Sequence, residues 1–247
     1  MTALTIVELF PGHLAVNGDM GNVTVLRERL RLAGIDSTHI AHHPGDELPE
    51  SCDIVTIGTG PVSALRVLEP AVASIGETLR RWRDDGVAML AVTAGMQILG
   101  RSISLPEGGS IEGAGVFDIA TDATAQRVVT NCFAVDTALG RLIGIETHGS
   151  ITSLGADERF GTAASGRGNG SARDEGVRAS NAIGTHLQGP ALAMNPVLAD
   201  HLIELAAARA GIDFTANDGH AKLDSLARQC RVILAKSAGL AVDRPAA

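Results

Sequence analysis

The 247-residue sequence predicts an α/β fold built on a central, mostly parallel sheet flanked by helices. Three observations lead there. Short apolar runs of Val, Ile, Leu and Ala recur between segments of helical periodicity, the pattern of βα units whose sheet is covered on both faces. Glycines stand where helices must stop, at Gly34, Gly86 and Gly211. The apolar run Ala88–Val92 also passes straight into a helical stretch at Thr93, with small Ala94 and Gly95 just beyond it, which outlines a tight strand-to-helix elbow.

Element by element, Leu4–Phe10 reads as a first strand, followed by a loop through Asp19–Asn22 and a helix over Val23–Ala33 with Leu26, Leu30 and Ala33 on one face. A short strand at Ser37–Ala41 leads into a polar loop with His42, His43 and Pro44. The strand Asp53–Ile57 ends in the turn Gly58-Thr59-Gly60, and two helices follow, Val62–Val72 and Ile75–Asp85, the second with Leu79 and Trp82 at i, i+3 spacing. Beyond Gly100 the pattern changes to short strands, at Gly113–Ala120, Arg127–Val135 and Leu142–His148, and a glycine-rich loop over Ser165–Ser171. Ala182–Leu187 is a further strand. Asn195-Pro196 pairs a cap with a proline at the first helical position of a helix to Ala210, and a last helix covers Ala221–Lys236. Residues 1–239 are expected to form a single domain and 240–247 a frayed tail.

Composition removes several classes of function. The formal charge of −8 repels a phosphate backbone, and 2% aromatic residues with no Tyr offer no stacking platform for single strands. No segment approaches the roughly 18 apolar residues of a membrane span. The start lacks a basic region before its apolar stretch, so a cytoplasmic protein is expected. Cys52, Cys132 and Cys230 fit neither a disulfide framework nor a zinc pattern, and no metal or cofactor is expected. The His42-His43 pair reads as solvated loop. Glu146 and His148 share a strand face and suit a local hydrogen bond, while the Gly166–Gly170 turn offers backbone N–H groups to an anion without the strand-turn-helix context of a phosphate loop.

Chemistry is expected at the elbow. A nucleophile at the Thr93 position projects above the sheet, and Ala94 offers its N–H to an oxyanion. A threonine hydroxyl needs a strong neighbouring base, and an internal residue has no terminal amine to serve as one. Gly58-Thr59-Gly60, the Thr93 elbow and Gly184-Thr-His-Leu-Gln-Gly-Pro190 then fall in a telling order. Together they resemble the class I glutamine amidotransferases, and within them the group of cobyric acid synthase and GatD, the glutaminase subunit of lipid II isoglutaminyl synthase. Asn17-Gly-Asp-Met-Gly-Asn22 with Leu26-Arg-Glu-Arg29 is similar to Tyr-Gly-Asp-x-Gly-Asn and Leu-x-x-Arg of that group. Leu90-Ala-Val-Thr-Ala-Gly-Met-Gln-Ile-Leu-Gly100 resembles its nucleophile strand, Gly144-Ile-Glu-Thr-His-Gly149 its Gly-Phe-Glu-Asn-His-Gly, and Met194-Asn-Pro196 its Lys-Asn-Pro.

The resemblance spans nearly the whole chain. It implies the class I amidotransferase fold, flavodoxin-like, and a heterodimer with a MurT-like Mur ligase that uses ammonia to amidate a peptidoglycan precursor. It also implies a cysteine nucleophile where Thr93 stands and a histidine where Gln188 stands. Arg127 falls at the position of the arginine that holds glutamine, and Gly58-Thr59-Gly60-Pro61 replaces the glycine-triplet turn of the second oxyanion amide. With Gly58, Gly60, Ala94 and Arg127 as the substrate-binding set, the site is complete in outline. Gln188 cannot take up a proton at neutral pH, so a glutaminase-deficient member is expected. His186 stands two residues earlier, about 6–7 Å along a strand, too far to replace it directly.

Overall fold

The computed structural model describes residues 3–170 and 172–243. Ser171 of the expected glycine-rich loop and residues 244–247 of the expected tail lie outside them. The chain opens with β1 (Leu4–Leu9), a 3-10 turn (Val16–Gly18), α1 (Met20–Leu32), β2 (Ser37–His42), β3 (Ile54–Ile57), α2 (Val62–Asp84), β4 (Ala88–Val92) and α3 (Ala94–Ile98). A region of short strands follows: β5 (Ser102–Ser104), β6 (Ser110–Glu112), β7 (Ile119–Asp122), β8 (Val128–Thr137), β9 (Gly140–His148), β10 (Ile151–Leu154), β11 (Gly161–Ser165) and β12 (Asp174–Glu175). The chain ends through β13 (Val177–Ala179), β14 (Ala182–Thr185), α4 (Ala191–Met194), α5 (Pro196–Ala210) and α6 (Asp218–Ser237).

The central sheet has the order β13-β14-β4-β3-β1-β2 and is parallel except for the β13–β14 pair. Period-two alternation divides its side chains between two cores. On β4, Met89 and Ala91 join the core under α2 and α3, whereas Ala88, Leu90 and Val92 join the one under α1 and α5. Two further four-stranded sheets, β10-β7-β5-β6 and β12-β11-β8-β9, lie beyond α3 in sequence. No helix among the described residues is long and apolar enough to cross a membrane.

Several expectations need correction. The two helices expected around residues 62–85 are one, α2, which runs through Pro70. Leu65, Leu68, Val72, Ile75, Leu79 and Trp82 form an unbroken buried stripe at three- and four-residue spacing, and that burial outweighs the donor missing at Pro70. The expected strand Gly113–Ala120 is mostly irregular, because the amides of Ala114, Val116 and Phe117 bond the carbonyls of Ile98 and Leu99 and satisfy the end of α3. A Cβ at Gly113 would strike the Gly100 carbonyl. Asp19–Asn22 is not a loop: α1 begins at Met20. His42 belongs to β2 and is buried, its Nε2 on the Asp46 carbonyl at 3.0 Å and its ring edge-on to Phe10. The near part of the expected frayed tail is held, since Leu240 bonds the Ala235 carbonyl and packs with Val242 beside Cys132 and Ala134.

Candidate functional site

The turns after β3, β4 and β14 meet beyond the carboxyl ends of three adjacent parallel strands, the edge where open α/β sheets form their ligand crevice. Thr93 occupies the elbow with φ 45° and ψ −97°, a left-handed backbone that a β-branched residue adopts only under constraint. Its N–H donates to the Thr185 carbonyl at 2.8 Å, and its carbonyl accepts from the Gln97 N–H at 2.9 Å. Gly95 presses the elbow onto β3. Its N–H donates to the Gly58 carbonyl at 3.1 Å, and a Cβ there would lie 2.7 Å from the Ile57 carbonyl oxygen, so glycine is required by close approach.

Gln188 reaches the elbow from the far side. Its Nε2 donates to Thr93 Oγ1 at 2.7 Å and to the Thr147 carbonyl at 3.0 Å, while its Oε1 accepts from Asn17 Nδ2 at 2.6 Å. The Thr147 carbonyl can only accept, which fixes the amide's orientation: the NH₂ faces the hydroxyl. The one basic lone pair available to Thr93 is therefore absent, and the residue in that place is a donor.

The two N–H groups expected to meet an oxyanion are also engaged. The Ala94 N–H donates to Thr59 Oγ1 at 3.3 Å, and the Thr59 N–H donates to Asp19 Oδ2 at 2.6 Å. Gly58 and Gly60 lie beneath the 13–19 segment, where a Cβ on Gly60 would come 2.7 Å from the His13 carbonyl oxygen and one on Gly58 2.8 Å from Asp19 Cβ. Asp19 is buried, and burial pushes its carboxyl from 3.8 up to about 7; the Thr59 N–H opposes that shift and the Glu8 carboxylate adds to it.

Behind the elbow lies a dry polar cluster. Glu146 accepts from the N–H groups of Arg167 and Gly168, so the anion held by the Gly166–Gly170 turn is this internal carboxylate. His148 bridges Glu146 and Ser150, and Ser150 accepts from Gln97 Nε2 at 2.8 Å. The His186 ring stacks on His148 with centroids 4.0 Å apart and has no hydrogen-bond partner on either nitrogen among the described residues, so it does not engage Thr93. Burial drives its pKa well below the usual value, leaving it neutral. Glu175 is pushed up to about 7 by burial, against the opposing bonds from Thr185 Oγ1 and the His186 N–H.

The structure thus brings Thr93, Ala94, Gln188, Gly58 and Gly60 together. Arg127 precedes β8, exposed, with its Cα facing Gly149 at the end of β9, and it has no ion-pair or hydrogen-bond partner among the described residues. Among those residues no group of three or more His, Cys, Asp or Glu is placed to hold a metal ion. Sequence reasoning did not assign Asn17, Asp19, Thr59 and Thr147 their parts in the site. Asn17 and Asp19 lie in the Asn17–Asn22 motif already singled out, which was the available signal.

Known proteins agree with this geometry. Residues 15–196 match the model of the CobB/CobQ-like glutamine amidotransferase domain. The GatD subunit of the glutamine-hydrolysing lipid II isoglutaminyl synthase of Staphylococcus aureus is 30% identical over 87% of this chain and 88% of its own length. The subunit of the same name from Streptococcus pneumoniae is 28% identical over 82% of this chain and 80% of its own. In three dimensions the chain is similar to a crystal structure of a glutamine amidotransferase, with a TM-score of 0.56 and 16% identity over 81% of this chain and 98% of that one, a likeness of fold. An elbow at the end of β4, a facing residue after β14 and a family match over three quarters of the sequence lead to one assignment: the chain belongs to the CobB/CobQ-like glutamine amidotransferase family.

Proposed function

We propose that the chain is a GatD-like subunit that works with a MurT-like Mur ligase to amidate a peptidoglycan precursor, in an assembly of the lipid II isoglutaminyl synthase type, and that it does not itself hydrolyse glutamine. The names of its relatives support the pathway. One observation carries the deficiency. The Gln188 amide donates to Thr93 Oγ1, so the hydroxyl faces a donor where attack on a carboxamide needs a base. Loss of the nucleophile or the base alone costs on the order of 10⁶ in turnover in subtilisin, and here both positions are substituted. In this reading the pair draws on free ammonia, and the chain stabilises the ligase or reports on a ligand to it.

The Arg127 guanidinium, unpaired among the described residues and just before β8, favours retained ligand binding, because such a cation suits the carboxylate of glutamine. The test is ammonia release from L-glutamine by the chain alone and co-purified with its ligase, beside amidation by the pair supplied with ammonium chloride. We expect no glutamine hydrolysis above buffer and amidation from ammonium. Turnover that Thr93→Ala abolishes would establish the hydroxyl as nucleophile and overturn the proposal. Elution of the chain as a lone monomer after co-expression with the ligase would overturn the partnership.

A further inference from the structure

One short turn reaches both halves of the site. Asn17, in the Val16–Gly18 turn, donates from Nδ2 to Gln188 Oε1 at 2.6 Å and so holds the carboxamide against Thr93. Two residues on, Asp19 Oδ2 accepts the Thr59 N–H at 2.6 Å. The Val16 N–H donates to the Thr59 carbonyl at 3.1 Å, so the turn grips residue 59 through both its backbone N–H and its C=O. On the other side the turn nests on Pro190, two residues beyond Gln188, where a Cβ on Gly18 would lie 3.4 Å from Pro190 Cδ.

The attachment is polar rather than apolar. Val16, Asn17, Gly18 and Met20 are all exposed, with Val16 at 46% and Met20 at 59%, and Asp19 alone is buried. Asn17 and Gly18 both have left-handed backbones, at φ 59° and 86°. The second oxygen of Asp19, Oδ1, is buried and has no hydrogen-bond partner among the described residues. Between Leu14 in the core and Val23 of α1 the chain has no buried apolar side chain, and such a segment opens at lower free energy than the core beneath it. What it carries to residue 59 is a carboxylate oxygen on a backbone donor, the same contact that a carboxamide or oxyanion oxygen would make.

We infer that the Val16–Asp19 turn is an autoinhibitory latch: Asp19 stands in for a ligand oxygen on the Thr59 N–H, Asn17 locks Gln188 onto Thr93, and a carboxamide or carboxylate ligand enters only when the turn withdraws. This rests on reading the pocket as a glutamine-type site. It also requires that the two halves open together, since one turn closes both.

Site-resolved amide hydrogen exchange on the full chain, with L-glutamine as the probe, tests it. In Asp19→Ala the Thr59 amide should exchange at least about tenfold faster, because its short bond to the buried carboxyl oxygen is lost. Asn17→Ala, at an exposed position that does not touch Thr59, should also speed Thr59 exchange, and it serves where the Asp19 variant fails to fold. L-Glutamine should bind both variants at least about tenfold more tightly than the parent, with the Thr59 amide protected again. Unchanged Thr59 exchange in Asn17→Ala, or equal glutamine affinity in the parent and both variants, overturns the latch. Faster exchange in both variants with no glutamine bound by any protein upholds the latch and removes the glutamine-site reading instead.

Discussion

Replacing Asp19 by Asn should change the pH dependence of stability in a calculable way. The Asp19 carboxyl titrates at about 7 in the folded chain against 3.8 in the open, chiefly through burial. Between about pH 4 and pH 7 the folded state keeps a proton that the unfolded chain has released, so this group's contribution is fully present below about pH 4 and is lost as pH rises through 7. At about 1.4 kcal/mol per tenfold in proton affinity, the gap sets a ceiling of about 4 kcal/mol on that loss. Asparagine has the same shape, and its Oδ1 can accept the Thr59 N–H, but it does not titrate. Its NH₂ replaces an oxygen that has no partner, a pH-independent penalty of about 1–3 kcal/mol. The variant should therefore be less stable than the parent near pH 5, gain on it steadily to about pH 7, and hold a constant difference above. Glu175 contributes a slope of the same sign, but it is present in both proteins and cancels. Urea denaturation of both proteins from pH 5 to 8.5, followed by far-UV circular dichroism, measures the difference. Parallel stability curves across that range would refute the reasoning.

Three further outcomes are expected. Thr93→Cys combined with Gln188→His should give more glutaminase activity than the two single changes predict together, and adding Thr59→Gly should raise it at least about tenfold by freeing the Ala94 N–H, as read by ammonia release. Gly95→Ala should destabilise the fold by on the order of 3 kcal/mol in chemical denaturation, since the added Cβ meets the carbonyl oxygens of Ile57 and Gly58 at 2.7 and 2.8 Å and backbone cannot give way. Arg29→Met should lower stability by roughly 3 kcal/mol in chemical denaturation, because Arg29 is buried and ties Asp200 of α5 and Asp224 of α6 to α1.

The strands and helices of the first half were legible in the sequence because each carries its own signal: an unbroken apolar run on β4, the three- and four-residue stripe on α1, the glycine after each stop. Pro70 misled because local chemistry argued for a break while the stripe from Leu65 to Trp82 argued for continuity, and burial decided. The two smaller sheets, one mixed and one antiparallel, were only partly legible, since strands of two to four residues such as β12 and β6 are too short to show a period. At the site, Thr93 and Gln188 stood out by their motifs. Asn17 and Asp19 did not, because their partners lie 171 and 40 residues away and the contacts exist only after the sheet has formed. The same holds for His42, which looks like a loop residue until Phe10 covers it.

The Gln188 carboxamide ties two sequence positions together. It is fully buried and serves three partners at once, Thr93, Thr147 and Asn17, whereas an imidazole in its place has two ring nitrogens for the three. Gln188→His alone would leave at least one of these groups short of a bond, at about 1–3 kcal/mol, and gain no chemistry, because the elbow would still hold a hydroxyl and its amides would still be engaged. Cysteine at Thr93 alone would weaken the bond from Gln188 without supplying a base. Each single change therefore costs stability before the pair of changes can supply turnover. The carboxamide thus couples the two positions: stability holds residue 188 as it is for as long as residue 93 is a threonine.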